Sequence, residues 1–381
     1  MRKALLLAAL PRDTIHFLKR ERIDMWPSRR LLDLLRIEFP IVQAPMAGVM
    51  DGELVAAVSE AGGLGSLPCA MLNAEKLRDE IGRIRARTKK PFGVNFFCHI
   101  APVPNNAREA SWRERLAPYY RELDIDPAVP VPFSNRAPFD EALLEVVLET
   151  RPAVLTFHFG LPPAALLARL KDEGFPLMAS ATTVAEARWL AERGVDGIIA
   201  QGFEAGGHRG MFLTDNIATQ VGTFALVPQV RDAVAVPVIA CGGISDARGI
   251  AAAFALGADG VQIGSAYLHT PEAKISAPHR AALSSARDDG TVITNVMTGR
   301  PARGFINRVI REQGPLSDVP EFPLAAGALQ PLRAKAEAQG SGDFSPLWSG
   351  QAAGLGRALG AGELTQQLAA ESLVQLKKLS G

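Results

Sequence analysis

The chain reads as an α/β protein of the TIM (β/α)8 barrel class with a smaller C-terminal α-rich cap domain. Two observations predict it. Eight short apolar runs lie between residues 41 and 263 and alternate with helical patterns. Continuous apolar runs mark parallel strands buried on both faces, and their alternation with helices implies βαβ units. Glycine-rich turns also follow several of the late runs. A doubly wound sheet, the structural rival, carries one glycine fingerprint after its first strand.

The elements follow in order. Residues 41–44 form the first strand, ended by Pro45, and 54–61 a helix. Strands at 63–67 and 92–97 flank a helix at 74–86. Residues 100–137, rich in Pro, Asn and Arg, read as an elaborated loop. Helix 140–149, strand 153–158, helix 163–173 and strand 176–180 come next. Thr183 caps a helix through Arg193, and Glu186 completes a capping box. Strand 197–201 precedes a mostly helical stretch at 217–233. Strand 236–240 is followed by helix 247–256, capped by Ser245, and then by the eighth strand, 259–263.

Past about residue 290 the rhythm stops. Thr291 to Ile310 carries Gly299, Arg300, Pro301, Arg303 and Gly304; residues 322–342 and 351–379 read as helical. The expected organisation is a barrel over 26–285, a cap and substrate domain over 286–345, and a helical segment over 346–381 that packs back on the barrel. The cap would exclude water from the reaction. Residues 1–25 begin like a signal peptide, but the apolar run is short, no small-residue cleavage site follows, and the charged stretch 16–22 comes next. They are expected to be a peripheral or disordered extension.

The bulk properties exclude several classes. A net charge of +1 on 381 residues gives no electrostatic footprint for nucleic acid or an acidic membrane surface. No run is long and apolar enough to span a membrane. Cys69, Cys98 and Cys241 form no CxxC pair and no disulfide framework, which suits a reducing cytoplasm. There is no HExxH and no carboxylate cluster at metal spacing, so no catalytic metal is expected.

In a barrel, chemistry belongs at the C-terminal ends of the strands. The segment IIAQGFEAGGHRG (198–210) runs from a strand into a glycine-rich turn holding Gln201, Glu204, His208 and Arg209. Histidine titrates nearest neutrality, so His208 is a candidate general base, with loop fixing as its other job. Glu204 could orient it or cap a helix; Arg209 could bind an anion or face water. His158 is a secondary candidate, against the reading of a satisfied core histidine. Gly242 and Gly243, with Gln262 to Ser265, form a pair of turns suited to a phosphate, through backbone N–H groups and a helix N-terminus. Asn95 and Gln201 offer amides that suit the edge of a heterocycle such as an isoalloxazine.

The segments QAPMAGV (43–49), GGLGS (62–66), GVNFF (93–97), FHFG (157–160), 198–210, 236–268, GRPARGFINR (299–308) and PLWSGQ (346–351) together resemble class I nitronate monooxygenases, the 2-nitropropane dioxygenase family. The resemblance covers about residues 35–375. It implies an FMN-dependent barrel that oxidises alkyl nitronates, notably propionate 3-nitronate, and possible nitroalkane substrates, with O2 by way of a flavin semiquinone. It implies His208 as the base, in preference to His158. Cofactor contacts would come from Ala44, Pro45, Met46, Asn95, Gln201, Gly206, Gly207, Gly242, Gly243, Gln262, Ile263, Gly264 and Ser265. A cytoplasmic detoxification enzyme is expected, with a homodimer left open. A nitronate is an anion, so a cation should face it, with Arg209 or Arg303 as candidates. Ser265 stands where the family commonly has Thr, and the chain has only three tyrosines, Tyr119, Tyr120 and Tyr267. The rivals are an FMN-dependent NAD(P)H enoyl-acyl-carrier-protein or quinone reductase of the same superfamily, and a noncatalytic flavin binder.

Overall fold

Eight parallel strands form a ring in the computed structural model, which describes residues 25–132 and 136–380. They are β1 (Ile41–Gln43), β2 (Gly65–Pro68), β3 (Phe92–Phe97), β4 (Val154–His158), β5 (Leu177–Ala181), β6 (Gly197–Gln201), β8 (Val238–Cys241) and β9 (Gly260–Ile263). The pairing order is β1-β9-β8-β6-β5-β4-β3-β2, and a parallel bridge from Val42 to Leu64 joins the two ends. A closed ring leaves no edge strand. Nearly every strand residue is buried, because helices cover the outer face.

Each strand feeds a helix: α2 (Gly52–Glu60), α3 (Ala74–Arg87), α5 (Glu141–Thr150), α6 (Ala164–Asp172), α7 (Val184–Glu192), α8 (Thr223–Ala233), α9 (Ala247–Ala255) and the short α10 (Ser265–Leu268). A helix before the barrel, α1 (Arg30–Leu35), buries Leu31, Leu32 and Leu35. The last helix, α14 (Ala361–Leu379), packs on α2 and α9. Leu364 and Leu368 on it are fully buried; burial of each side chain is worth roughly 1.5–3 kcal/mol.

Two local expectations are corrected. Helix α9 is capped by Asp246, not Ser245: the Asp246 carboxylate accepts from the N–H groups of Arg248 (2.9 Å) and Gly249 (3.2 Å). A carboxylate at the positive end of a helix gains both the hydrogen bonds and the dipole interaction. Thr183 does cap α7, accepting from the Glu186 N–H. The Glu186 carboxylate, however, takes Thr182 N–H and hydroxyl on one oxygen, and Phe212 and Leu213 N–H on the other. It ties a distant loop to the helix rather than closing a capping box.

The stretch 100–137 is not simply a loop. It contains α4 (Asn106–Glu122), capped by Asn105. Its Trp112, Leu116, Tyr119 and Tyr120 join Val296, Val309, Ile310, Leu329 and Leu332 in a second hydrophobic core. That core holds a smaller lobe. The lobe contains α12 (Arg308–Gln313), α13 (Ala325–Ala338) and a hairpin of β10 (Thr291–Thr294) and β11 (Ala302–Phe305). Helix α11 (Ala277–Ser284) leads into it. The hairpin extends into a three-stranded antiparallel sheet by pairing β11 with β7 (Gly207–His208). The expected turn around His208 is therefore partly a strand, and the small lobe grips it. The expectation for residues 1–25 falls, apart from Met25, outside the described residues. Among those described, no helix is long and apolar enough to cross a membrane.

Candidate active site

The strand C-termini open into one cleft, with an empty volume of about 1220 Å³ when its open mouth is counted. That holds a ligand of several hundred Å³. Of the expected cofactor contacts, Ala44, Pro45, Met46, Asn95, Gln201, Gly206, Gly207, Gly242, Gly243, Gln262, Gly264 and Ser265 line it. Ile263 does not. Side chains alternate along a strand, so Ile263 points away from its neighbours and is fully buried. Its carbonyl instead holds the Ala44 N–H at 2.8 Å.

One end of the cleft is built of backbone. Gly242 and Gly243 take φ of 112° and 71°, conformations open to glycine. Among the described residues, the N–H groups of Gly243, Gly264 and Ser265 donate to no carbonyl or side chain. Gly206 approaches the C-terminal segment so closely that a Cβ there would lie 2.5 Å from Gly350 N. Ser265 Oγ accepts from the same Gly350 N–H at 2.8 Å. Free N–H groups around a concavity suit an anion such as a phosphate.

Along the floor, Gln262 is buried, and its Oε1 has no protein partner while Nε2 meets Cys241 Sγ at 3.6 Å. Whichever way the amide is turned, one polar atom is unmet, and a buried unmet polar atom that faces a cleft points to a ligand. Asn95 is anchored by its amide nitrogen to Thr156 Oγ1 at 2.9 Å. Gln201 is used within the protein: Nε2 donates to the His208 carbonyl (3.0 Å), and Oε1 accepts the Gly210 N–H (2.7 Å). It braces the 201–210 turn.

The other end is aromatic. The His208 ring sits among Phe322, Trp348, Phe159 and Phe97, with ring centroids 5.1, 5.5, 6.0 and 6.2 Å away. Burial first, then the guanidinium of Arg136, the His158 ring, Arg300 and His99, drive its pKa well below the ordinary value. Burial and the neighbouring cations therefore favour the neutral imidazole. Its Nε2 lies 2.9 Å from Thr298 Oγ1.

His158 is a satisfied histidine. A carbonyl can only accept, so its Nε2–H donates to the His208 carbonyl (3.1 Å); Nδ1 then accepts from the Ser180 hydroxyl (3.0 Å). Burial lowers its pKa to about 3. Both its ring nitrogens are thus engaged within the protein, one of them on the His208 main chain. Glu204 caps α8, accepting from Thr223 N–H and hydroxyl at 2.8 Å, and does not reach His208.

Arg209 does not face water. It is fully buried, and donates to the carbonyls of Gln201 and Gly202 and to Gln220 Oε1. Arg303 is likewise buried, donating to the Phe203 carbonyl at 3.1 Å. Neither lines the cleft. The reason is the β7–β11 pairing: side chains alternate, so with His208 facing the cleft Arg209 turns to the other side. The cation in the cleft wall is Arg136. Sequence reasoning missed it, along with Phe97, Thr298, Phe322 and Trp348. Trp348 lies in the PLWSGQ segment and Phe97 in GVNFF, so those two had a motif signal. Arg136 and Thr298 had none, because Arg136 reaches the cleft, and Thr298 the His208 ring, across long sequence separations.

The family model described as nitronate monooxygenase matches residues 28–371. A nitronate monooxygenase of Paraburkholderia phytofirmans is 43% identical over 365 residues, covering 94% of this chain and 99% of its own. One of Pseudomonas aeruginosa is 42% identical over 347 residues, covering 90% and 98%. Among solved structures, a nitroalkane oxidase from Streptomyces ansochromogenes aligns with a TM-score of 0.83 and 38% identity, over 92% of this chain and 100% of that one.

Proposed function

The chain belongs to the nitronate monooxygenase family of flavin-dependent oxidoreductases, and on that premise we propose that it oxidises alkyl nitronates with O2, using FMN, with His208 as the base for neutral nitroalkanes. One observation carries the reading: a ring-enclosed imidazole and the Arg136 cation share a cleft whose lining also holds unpaired backbone N–H groups.

The residues fit a flavin mononucleotide. The N–H groups of Gly243, Gly264 and Ser265 would hold its phosphate. Gln262 and Asn95 would meet its ring edge, and Gln262 would gain the partner it lacks. When bound, FMN supplies the electron acceptor for the nitronate and the means of passing electrons to O2. Everything else falls to the chain. Arg136 attracts the anionic nitronate into an apolar cleft where a charge is weakly screened. Phe97, Phe322 and Trp348 exclude water from the reacting carbon. For a neutral nitroalkane, His208 takes the α-proton first.

The depressed pKa of His208 orders the substrates. Each unit of depression removes about 1.4 kcal/mol from the base's proton affinity. The imidazole is thus available but weak, and a nitronate that arrives already deprotonated bypasses it. Nitronates should turn over faster than their parent nitroalkanes. The deciding experiment is anaerobic absorbance of the purified flavoprotein on addition of propionate 3-nitronate, with NADH in a parallel cell. Bleaching by the nitronate and recovery in air is expected. Bleaching by NADH alone would overturn the proposal in favour of a reductase.

A further inference from the structure

The ring of His208 is held from the small lobe at both its backbone and its side chain. Ala302 pairs with His208 in the β7–β11 ladder. Four residues earlier, in the turn between β10 and β11, the Thr298 hydroxyl meets His208 Nε2 at 2.9 Å. The turn itself is closely packed. Gly299 has φ of 92°, and a Cβ there would lie 2.2 Å from the Pro320 carbonyl oxygen. Thr298 is buried.

We infer that Thr298 is a positioning residue that fixes the protonation pattern of His208: the ring carries its proton on Nε2, donated to the Thr298 hydroxyl oxygen, and presents Nδ1 as the basic atom. The inference rests on the proposed role of His208. Thr298 Oγ1 has a second neighbour, the Arg300 carbonyl oxygen, at 3.5 Å. A carbonyl only accepts, so the single hydroxyl proton turned toward it leaves lone pairs for an Nε2–H. Among the described residues nothing hydrogen-bonds Nδ1. When Nδ1 takes the substrate's α-proton, the ring becomes imidazolium with an N–H on both nitrogens. Thr298 can then only accept, and it stabilises the charge that has formed. The proton moves from substrate carbon to Nδ1, the bonding pair stays on the nitronate, and the Nε2 proton stays in place. The charged and titratable groups around the ring are Arg136, Arg300, His158 and His99, all of which oppose the imidazolium. The acceptor oxygen of Thr298 works against them.

The test compares Thr298→Val, which keeps the shape and removes the oxygen, with Thr298→Ser, which keeps the oxygen. Three readouts are taken on the flavin-loaded protein: the ratio of kcat/KM for a nitroalkane to that for its preformed nitronate, the acid limb of the nitroalkane pH profile, and the protonation of the His208 ring by 15N NMR, assigned by difference with His208→Asn. Thr298→Val should lower the ratio about tenfold and move the acid limb to lower pH, because the imidazolium has lost its acceptor. Thr298→Ser should restore both. The wild-type spectrum should show a protonated Nε2 and a bare Nδ1. A bare Nε2 in the wild-type protein overturns the inference even if Thr298→Val does not fold, and so does an unchanged ratio in Thr298→Val. Loss of nitroalkane turnover in His208→Asn, but not in Thr298→Val, removes this inference alone. Retention in His208→Asn removes the reading of His208 beneath it.

Discussion

His158 Nε2 donates to the backbone carbonyl of His208 across 3.1 Å, so one histidine of the cleft holds the other by its main chain. The carbonyl also receives Gln201 Nε2 at 3.0 Å. Replacing His158 by Phe keeps an aromatic ring beside Phe97 and Phe159 but removes the bonds to His208 and Ser180. A lost hydrogen bond to a buried carbonyl costs about 1–3 kcal/mol, and Gln201 remains to cover part of it. His158→Phe should therefore lower kcat/KM about tenfold at unchanged flavin content. Steady-state rates normalised to bound flavin check this, and undiminished rates would show that Gln201 suffices alone.

The buried histidines also set how the fold responds to acid. His158 is lowered to about 3 by burial, and His99 and His279 to about 4. The unfolded chain binds protons on these side chains near pH 6.5, whereas the folded chain does not until the pH is far lower. Between those values the unfolded state carries more protons, so stability rises with pH. It is fully present above about pH 6.5 and lost as pH falls toward about 4 for His99 and His279 and about 3 for His158. Thermal unfolding at a series of pH values should show Tm falling through that window. His279→Leu should flatten the fall, since one group no longer has to stay neutral; a slope equal to wild type would contradict its assigned burial.

Arg136 is the guanidinium in the cleft wall and the largest charge acting on His208. Arg136→Met should raise KM for a nitronate about tenfold, a loss of about 1.4 kcal/mol, with a smaller change for a neutral nitroalkane. Arg209→Met should behave otherwise. Its guanidinium satisfies the Gln201 and Gly202 carbonyls, so its loss should lower Tm before it touches KM. Paired KM and Tm measurements on the two variants separate binding from support. Equal KM for nitronate in Arg136→Met and wild type would remove the electrostatic role.

The barrel was legible because its strands are continuous apolar runs between glycine turns, a pattern that needs only local sequence. The glycine turns at 242–243 and 264–265 that line the cleft were legible for the same reason. What escaped was set by distance along the chain. Helix α4 did carry a signal, since Trp112, Leu116, Tyr119 and Tyr120 fall at helical spacing, but Pro118 and the surrounding arginines obscured it. Arg209 looked like an anion ligand because it follows His208. Its burial depends on β7 pairing with a hairpin some ninety residues later, which no local pattern reports. Arg136 reaches the cleft, and Thr298 the His208 ring, from segments whose own sequences say nothing of it.

Gln262 offers a test that separates ligand binding from folding. Its Oε1 is buried and unmet in the protein alone, which costs stability until a ligand supplies a partner. Gln262→Leu keeps the volume and removes the unmet atom. The flavin-free variant should therefore be more stable than the flavin-free wild type, by about 1 kcal/mol. The flavin-loaded variant should be less stable than the loaded wild type, because binding weakens by about tenfold and the ligand contributes stability in proportion to the logarithm of its affinity. The gap in Tm between loaded and flavin-free protein should shrink from both sides. Titration of FMN by fluorescence quenching gives the affinity, and thermal unfolding with and without FMN gives the gap. A variant that binds FMN as tightly as wild type would show that the floor of the cleft does not meet the flavin through this side chain.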